Sequence, residues 1–290
     1  MLLVKKYELI LYARKVDAVQ NWLNALGLSG SCLVESYESY GSRAHEAVIN
    51  FVGVGDPYRA AEMGASIFDI TLKYDQMILD GLKAEPTRRY IFLSSGAAYG
   101  STFKEPACID TLSSININRL LPQEYYALAK LHAEGRHRSL MQYNIVDIRV
   151  FNYFSSTVSL DTRFFITDLI RSVKNQTIFE TGADEMVRDY LHPNDFFQLI
   201  SNILQGPLCN VAVDCYSKSP ISKTEVLELF KIHYGLQIKI STMQNSINAT
   251  GAKPNYFSKN YSASKFGYVP KYSSYDGLVE TLETIFHIKK

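Results

Sequence analysis

Tyr90-Ile91-Phe92-Leu93-Ser94-Ser95-Gly96-Ala97-Ala98-Tyr99-Gly100 is the stretch on which the reading of this 290-residue chain turns. Four apolar residues run without alternation into small and hydroxyl residues. A strand that is apolar on both faces is covered on both, the pattern of a parallel sheet between two helical layers. Ala47-Val48-Ile49 has the same character. Short apolar runs bounded by turn formers predict strands at Tyr7–Tyr12, Ala47–Val52, Tyr90–Ser94, Ile145–Val150 and Cys209–Val213. Helical patterns at Tyr58–Ile67, Ile70–Lys83, Pro122–Tyr143 and Phe196–Leu204 fill the intervals. Strands alternating with helices imply an α/β fold. After about Asn152 the rhythm changes: helices at Phe164–Lys174 and Lys223–Tyr234 and a strand at Gln237–Ile240 are separated by loops rich in Ser, Asn, Lys and Tyr. A smaller lobe over the carboxyl ends of the strands is expected there, where open α/β sheets bind ligands.

Composition narrows the function classes. Apolar residues make up 47% of the chain, charged residues 20%, and the net charge is +1. That balance gives no electrostatic case for nucleic acid or an anionic membrane surface. There is no apolar run of about 18 residues, so no spanning helix is expected. No signal-peptide pattern opens the chain. Cys32, Cys108, Cys209 and Cys215 are scattered without CxxC spacing, which argues against a zinc site or a disulfide framework and fits a reducing cytoplasm. His192 has no partner at metal-ligand spacing and reads as structural, and Trp22 as packing on a helix.

Tyr126-Ala-Leu-Ala-Lys130 carries the chemistry. Residues i and i+4 share a helix face, so a phenol and an ammonium point into one cleft. A free phenol titrates near pH 10, and a nearby ammonium favours its phenolate. YxxxK alone is a weak signal in a chain with 20 tyrosines. Its companions strengthen it. Ser95 closes an expected strand some thirty residues earlier, Ile148-Arg-Val-Phe-Asn152 ends the next, and Arg188-Asp-Tyr-Leu-His-Pro-Asn-Asp195 follows.

In this order and spacing the four segments resemble those of the extended short-chain dehydrogenase/reductase family, which includes nucleotide-sugar 4-epimerases, 4,6-dehydratases and 4-ketoreductases. The resemblance runs from about Tyr7 to the C-terminus, where Lys265-Phe-Gly-Tyr-Val-Pro270 matches a late family segment. It implies a Rossmann-like, doubly wound parallel sheet in residues 1–153, to which 196–216 returns, with residues 154–290 mainly a substrate-binding lobe. It implies Ser95, Tyr126 and Lys130 as the catalytic set, with Lys130 also binding the cofactor ribose. Phe51, Val52 and Gly53 would run along the cofactor, and Val150 would pack near the nicotinamide. Asn152 and Arg188, with Ser95, would hold a nucleoside-diphosphate sugar; for Arg188 a structural salt bridge to Asp189 or Asp195 is the alternative. A homodimer is also implied.

The family's glycine-rich first turn is not found. Gly53-Val-Gly55 is the sole candidate and lacks a third glycine. The reading preferred here makes Leu2–Lys6 the tail of a first crossover helix and Tyr7–Tyr12 the second strand, the chain then lacking roughly 25–30 residues, about one βα unit. Such a chain is expected to bind dinucleotide poorly. The end of that strand, Ala13-Arg14-Lys15, has no acid, which favours NADP(H) over NAD(H) if Arg14 and Lys15 read the 2′-phosphate; solvated surface cations are the alternative. Family dehydratases carry Asp-Glu after the catalytic hydroxyl residue. Gly96-Ala97 stands there instead, which disfavours 4,6-dehydration and leaves 4-keto reduction first and 4-epimerisation second. A non-catalytic cofactor-binding protein or an inactive homologue is the reading of another class.

Overall fold

The structure, a computed structural model, describes residues 6–53, 57–100, 102–241 and 253–287. The helix tail expected at residues 2–6 lies outside them except for Lys6, which is in a turn, and so do Val54 and Gly55. The chain divides into two compact units, 1–46 and 47–290.

In the first unit β1 (Ile10–Ala13) and β2 (Leu33–Ser36) pair in parallel, Ile10 beside Leu33 and Ala13 beside Ser36, with α1 (Val16–Ala25) between them in sequence. β1 starts three residues later than the apolar run predicts, where its pairing with β2 begins. The helix ends at Gly27, whose φ of +68° suits the left-handed turn, and the Leu28 N–H donates back to the Leu23 carbonyl at 2.9 Å. Leu23 is buried while Trp22, on the same helix, is 49% exposed. Arg14 and Lys15 are exposed between β1 and α1.

The second unit opens with β3 (Ala47–Asn50), α2 (Pro57–Met63), α3 (Ser66–Leu82), β4 (Arg89–Ser95), α4 (Pro122–Ser139) and β5 (Ile145–Val150). There follow β6 (Asn152–Tyr153), α5 (Phe165–Lys174), β7 (Phe179–Gly182), β8 (Val187–Arg188), β9 (Tyr190–Leu191), α6 (Pro193–Gln205) and β10 (Asn210–Asp214). β11 (Ile221–Ser222), α7 (Lys223–Tyr234), β12 (Ile238–Ser241), β13 (Asn255–Tyr256) and α8 (Ser274–Phe286) complete it.

Four of these strands form one sheet in the order β10-β5-β4-β3, all parallel. Tyr90, Ile91 and Phe92 are fully buried, as are Ile145, Val146 and Ile148. Consecutive buried residues mean that both faces are covered, as the unbroken apolar run predicts. α4 begins with Pro122 in its first turn, and the Glu124 carboxylate accepts the Leu121 N–H at 2.9 Å. It stops at Ser139, short of the Tyr143 expected from sequence. The Asn210 side-chain amide donates to the His137 and Leu140 carbonyls at 2.9 and 2.8 Å, ending the helix against the start of β10.

The remaining strands are short: β6 pairs with β9, β7 with β12, and β8 lies between β11 and β13. A separate apolar core joins α5, α7 and α8 through Ile166, Leu169, Ile170, Phe230, Leu278 and Leu282. α7 carries a capping box, Ser222 accepting from the Glu225 N–H while Glu225 accepts from the Ser222 N–H at 2.8 Å. Among the described residues no helix is long and apolar enough to cross a membrane.

A polar network crosses the interior between α3, α4 and β5. His137, fully buried, lies between Asp75 at 2.8 Å and Asp147 at 2.6 Å. Arg136 donates to Asp75 and Arg138 to Asp147, both at 2.7 Å, and Tyr90 donates to Asp75 at 2.8 Å. Burial alone would push the imidazole's pKa down, but the two carboxylates override it and hold it at about 9. The folded chain therefore binds a proton on His137 more tightly than the unfolded chain does. The resulting stabilisation is complete below about pH 6.5 and is lost as pH rises through 9. Urea unfolding across pH 6 to 9.5 is expected to show this loss, with a much flatter dependence in His137→Gln, which should also be less stable at pH 6.

Candidate functional site

β4 delivers Ser95 to the carboxyl end of the sheet, in register with Val150 of β5. The chain then turns tightly through Gly96–Tyr99, and the Ser95 hydroxyl accepts the Ala97 N–H at 3.2 Å. The tight turn has a steric requirement: a Cβ at Gly96 would lie 2.4 Å from the Phe151 ring. The absence of a side chain at 96, read above as a missing carboxylate, is thus also what lets Phe151 pack.

α4 presents Tyr126 and Lys130 one turn apart, as their spacing predicts. Tyr126 packs against the buried cluster of Ala60 from α2, Ile67 from α3 and Ala129 from its own helix. Burial raises its pKa, and the nearby Ser95 hydroxyl acts in the opposite direction. Lys130 donates to the Leu93 carbonyl at 2.7 Å, with its ammonium 4.3 Å above the Phe92 ring and 5.8 Å from that of Tyr126. Burial lowers the Lys130 ammonium to about 8, against Asp147, Glu134 and Asp75, which pull it up.

Where β3 ends, Phe51 is 58% exposed, and the Val52 N–H donates to Asn50 Oδ1 at 2.9 Å. Gly53 has φ +154°, and a Cβ there would come within 3.4 Å of the Lys130 ammonium. Glycine therefore leaves an opening beside the ammonium. Of its three N–H groups, only the one on Leu93 has an acceptor among the described residues.

Asn152 and Arg188 are brought together through β6, β9 and β8, and the Asn152 amide donates to the Asp189 carbonyl at 3.3 Å. Arg188 makes neither of the salt bridges considered from sequence. Asp189 accepts from the Ser217 N–H and the Ser274 hydroxyl, and Asp195 from the Lys271 and Tyr272 N–H groups. Arg188 instead donates to the carbonyls of Val187 and Lys253, at 2.8 and 2.7 Å. Burial lowers its pKa. Lys253 sits beside it, its ammonium 4.8 Å from the Tyr256 ring and held at about 8 by burial and by Arg188. Two mostly buried cations thus share a site with no carboxylate partner among the described residues, and residues 242–252 contain no Asp or Glu. Burying cations without an anion is costly, so the arrangement suits an anionic ligand.

Tyr256 links the two parts. Its hydroxyl is 3.2 Å from Ser95 Oγ, and its ring packs against Phe103 and Phe151 and lies 6.0 Å from the Arg188 guanidinium. Sequence reasoning missed both Tyr256 and Lys253. They reach the site because β13 pairs with β8, Tyr256 beside Arg188, and two residues of strand leave no periodic signal. His192, read as structural, accepts the Asn194 N–H at 3.2 Å at the start of α6. Among the described residues no cluster of His, Cys, Asp and Glu could hold a metal ion.

A parallel α/β sheet with Ser95, Tyr126 and Lys130 at its carboxyl edge has the form of a Rossmann-like, doubly wound fold, whose ligands lie at that edge. The model of the NAD dependent epimerase/dehydratase family matches residues 1–211, and the chain belongs to that family. Solved structures share the fold at low identity. UDP-N-acetylglucosamine 4-epimerase from Methanobrevibacter ruminantium M1, in complex with UDP-N-acetylmuramic acid, superposes with a TM-score of 0.80 at 13% identity, over 99% of this chain and 93% of that one. UDP-glucuronic acid 4-epimerase from Bacillus cereus, in complex with UDP-glucuronic acid and NAD, gives 0.77 at 15%, over 99% and 94%. dTDP-glucose 4,6-dehydratase from Bacillus anthracis, in complex with NAD, gives 0.77 at 16%, over 98% and 89%. No curated protein sequence matches the chain.

The contact at Gly96 yields a stability test. Gly96→Ala should cost about 1–3 kcal/mol of overpacking against Phe151, read as a lowered urea midpoint, and Gly96→Ala/Phe151→Leu should recover part of it.

Proposed function

We propose that the chain is an NAD(P)-dependent oxidoreductase acting on the sugar of a nucleoside-diphosphate sugar, by 4-keto reduction. The observation that carries the reading is the arrangement of Ser95, Tyr126 and Lys130 at one sheet edge, with the unneutralised Arg188–Lys253 pair across Tyr256. The opening at Gly53 and the unused N–H groups of Lys130 fit the ribose hydroxyls of a dinucleotide, with Phe51, Val52 and Val150 along its length. A nicotinamide held there would supply the hydride. Tyr126, whose burial keeps it protonated at neutral pH, gives its proton to the sugar oxygen as negative charge develops there. Ser95 donates a hydrogen bond to the same oxygen. Arg188 and Lys253 hold the diphosphate, with Asn152 beside them. Phe151 fills the space an acid at 96 would need, so reduction is favoured over dehydration. Arg14 and Lys15, with no acid beside them, favour NADPH over NADH. A 4-epimerase is the second reading, favoured by the 4-epimerases among the similar structures.

Incubation with a 4-keto nucleotide sugar and NADPH separates the two. Stoichiometric loss of NADPH absorbance supports reduction, whereas interconversion of 4-epimers with no net change in cofactor supports epimerisation. Neither activity, in a folded chain, refutes both. Tyr126→Phe should lower kcat by roughly 10²–10⁴-fold, with the nicotinamide affinity little changed in calorimetry.

The cation pair makes a separate prediction for UDP binding. Arg188→Met and Lys253→Met should each weaken it by roughly 10–100-fold, the scale of a lost charge-assisted hydrogen bond. Lys253 must be protonated to attract the anion, so affinity should be level below pH 8 and fall above it in the parent chain. In Lys253→Met that fall should be absent.

A further inference from the structure

Asn50 is the last residue of β3, and its side chain is buried although the chain passes to an exposed Phe51 directly after it. A buried amide needs partners at both ends. Its Nδ2 donates to the Tyr90 hydroxyl at 3.0 Å, and its Oδ1 accepts the Val52 N–H at 2.9 Å. The neighbours fix which way the amide faces. A carboxylate accepts and does not donate, so the Tyr90 phenol gives its proton to Asp75 Oδ1, at 2.8 Å. Burial and Asp75 drive the pKa of Tyr90 well up, so that proton stays in place. The phenol oxygen then has lone pairs alone to offer and takes a proton from Asn50 Nδ2. That leaves Oδ1 for the Val52 N–H, which can only donate. Asp75 is held in turn by Arg136 on Oδ2 at 2.7 Å and by His137 on Oδ1 at 2.8 Å.

We propose that Asn50 and Tyr90 are positioning residues which, anchored on Asp75, set the exit of β3 and hold Val52 and Gly53 in the conformation that receives the dinucleotide. The bond from Val52 N–H to Asn50 Oδ1 is an Asx-type turn, in which a side chain stands in for a backbone acceptor. It takes the chain from the strand to Gly53, whose φ is +154° and where a Cβ would come within 3.4 Å of the Lys130 ammonium. Both side chains are buried, so they act through the backbone of residues 51–53. Without the Tyr90 hydroxyl, Asn50 Nδ2 loses its acceptor, and the amide is free to turn away from Val52. Released from Asn50, the Val52 peptide can rotate and Gly53 with it, and the opening beside Lys130 is no longer held in one shape.

That residues 51–53 line a dinucleotide rests on the proposed function, but the geometry of the turn can be read without a ligand. In the full chain, hydrogen exchange of the Val52 amide is followed by NMR, and NADPH and UDP affinities by calorimetry. Asn50→Leu, close in shape but without either bond, should speed Val52 exchange about tenfold, the scale of one lost hydrogen bond. It should weaken NADPH binding to a similar degree and leave UDP binding unchanged. The milder Tyr90→Phe should act in the same direction by about threefold or more. In Asn50→Leu/Tyr90→Phe the second change should add nothing to either readout, because the two residues act in series. Arg136→Met removes another holder of Asp75 without touching Asn50 or Tyr90; it should lower the urea midpoint and leave Val52 exchange and NADPH affinity as they were. An unmoved Val52 amide in Asn50→Leu or Tyr90→Phe overturns the proposal. Equal losses of NADPH and UDP affinity also overturn it, as does an effect of Arg136→Met on Val52 as large as that of Tyr90→Phe. If Val52 exchange follows the series in a chain that binds no dinucleotide, the positioning stands and the functional reading falls.

Discussion

The carboxylate of Glu134 lies inside the fold, where an ionised group persists only if it is paired. It accepts from the Ser94 hydroxyl at 2.5 Å and from both sides of the Arg149 guanidinium, at 3.0 and 2.6 Å. Ser94 belongs to β4, Arg149 to β5 and Glu134 to α4, so one side chain fixes the register of the helix against two strands. Tyr126, Lys130 and Glu134 are spaced four residues apart and share a helix face. A helix held at Glu134 therefore places the phenol and the ammonium over the end of β4, where Ser95 waits. Arg149 extends the clamp, donating to Tyr99 at 2.7 Å, while Tyr99 and Ser258 donate to Asp214. The Ser95 turn is thus tied to the last strand of the sheet and to the segment that carries Tyr256.

The charge distribution beneath and above the sheet edge differs in kind. Below it, cations and carboxylates are matched: His137 and two arginines with Asp75 and Asp147, Arg149 with Glu134 and Asp214. Matched buried pairs satisfy one another and give the scaffold a single arrangement. Above it, Lys130, Arg188 and Lys253 are buried to a large extent and find carbonyls or rings rather than carboxylates. Burial lowers the proton affinity of all three. Groups whose acidity is shifted by desolvation and left without countercharge gather where a ligand supplies what the protein lacks.

Legibility followed from how local each determinant is. A continuous apolar run marked the centre of β4, because a strand covered on both faces is apolar on both, and β5 was legible from its β-branched residues although Asp147 and Arg149 interrupt it. YxxxK fixed a helix face, since four residues make about one turn. The carboxyl end of β4 marked Ser95 by the change from apolar to small. Where a feature rests on two residues of pairing, as at β8 and β13, no period exists to detect, and the residues it delivers were missed. The end of α4 was misjudged for a similar reason, since the amide that stops it belongs to Asn210, seventy residues on.

The sequence alone therefore determined the class of the fold, the parallel sheet and the three residues at its edge, because hydrophobic period and helical spacing are properties of neighbours in the chain. Only the tertiary structure decided that Arg188 is free of Asp189 and Asp195, that Lys253 stands beside it, and that Tyr256 reaches Ser95. Those contacts join segments up to 161 residues apart. They are set by which strands pair and which cavities their side chains fill, and no window of sequence contains both partners.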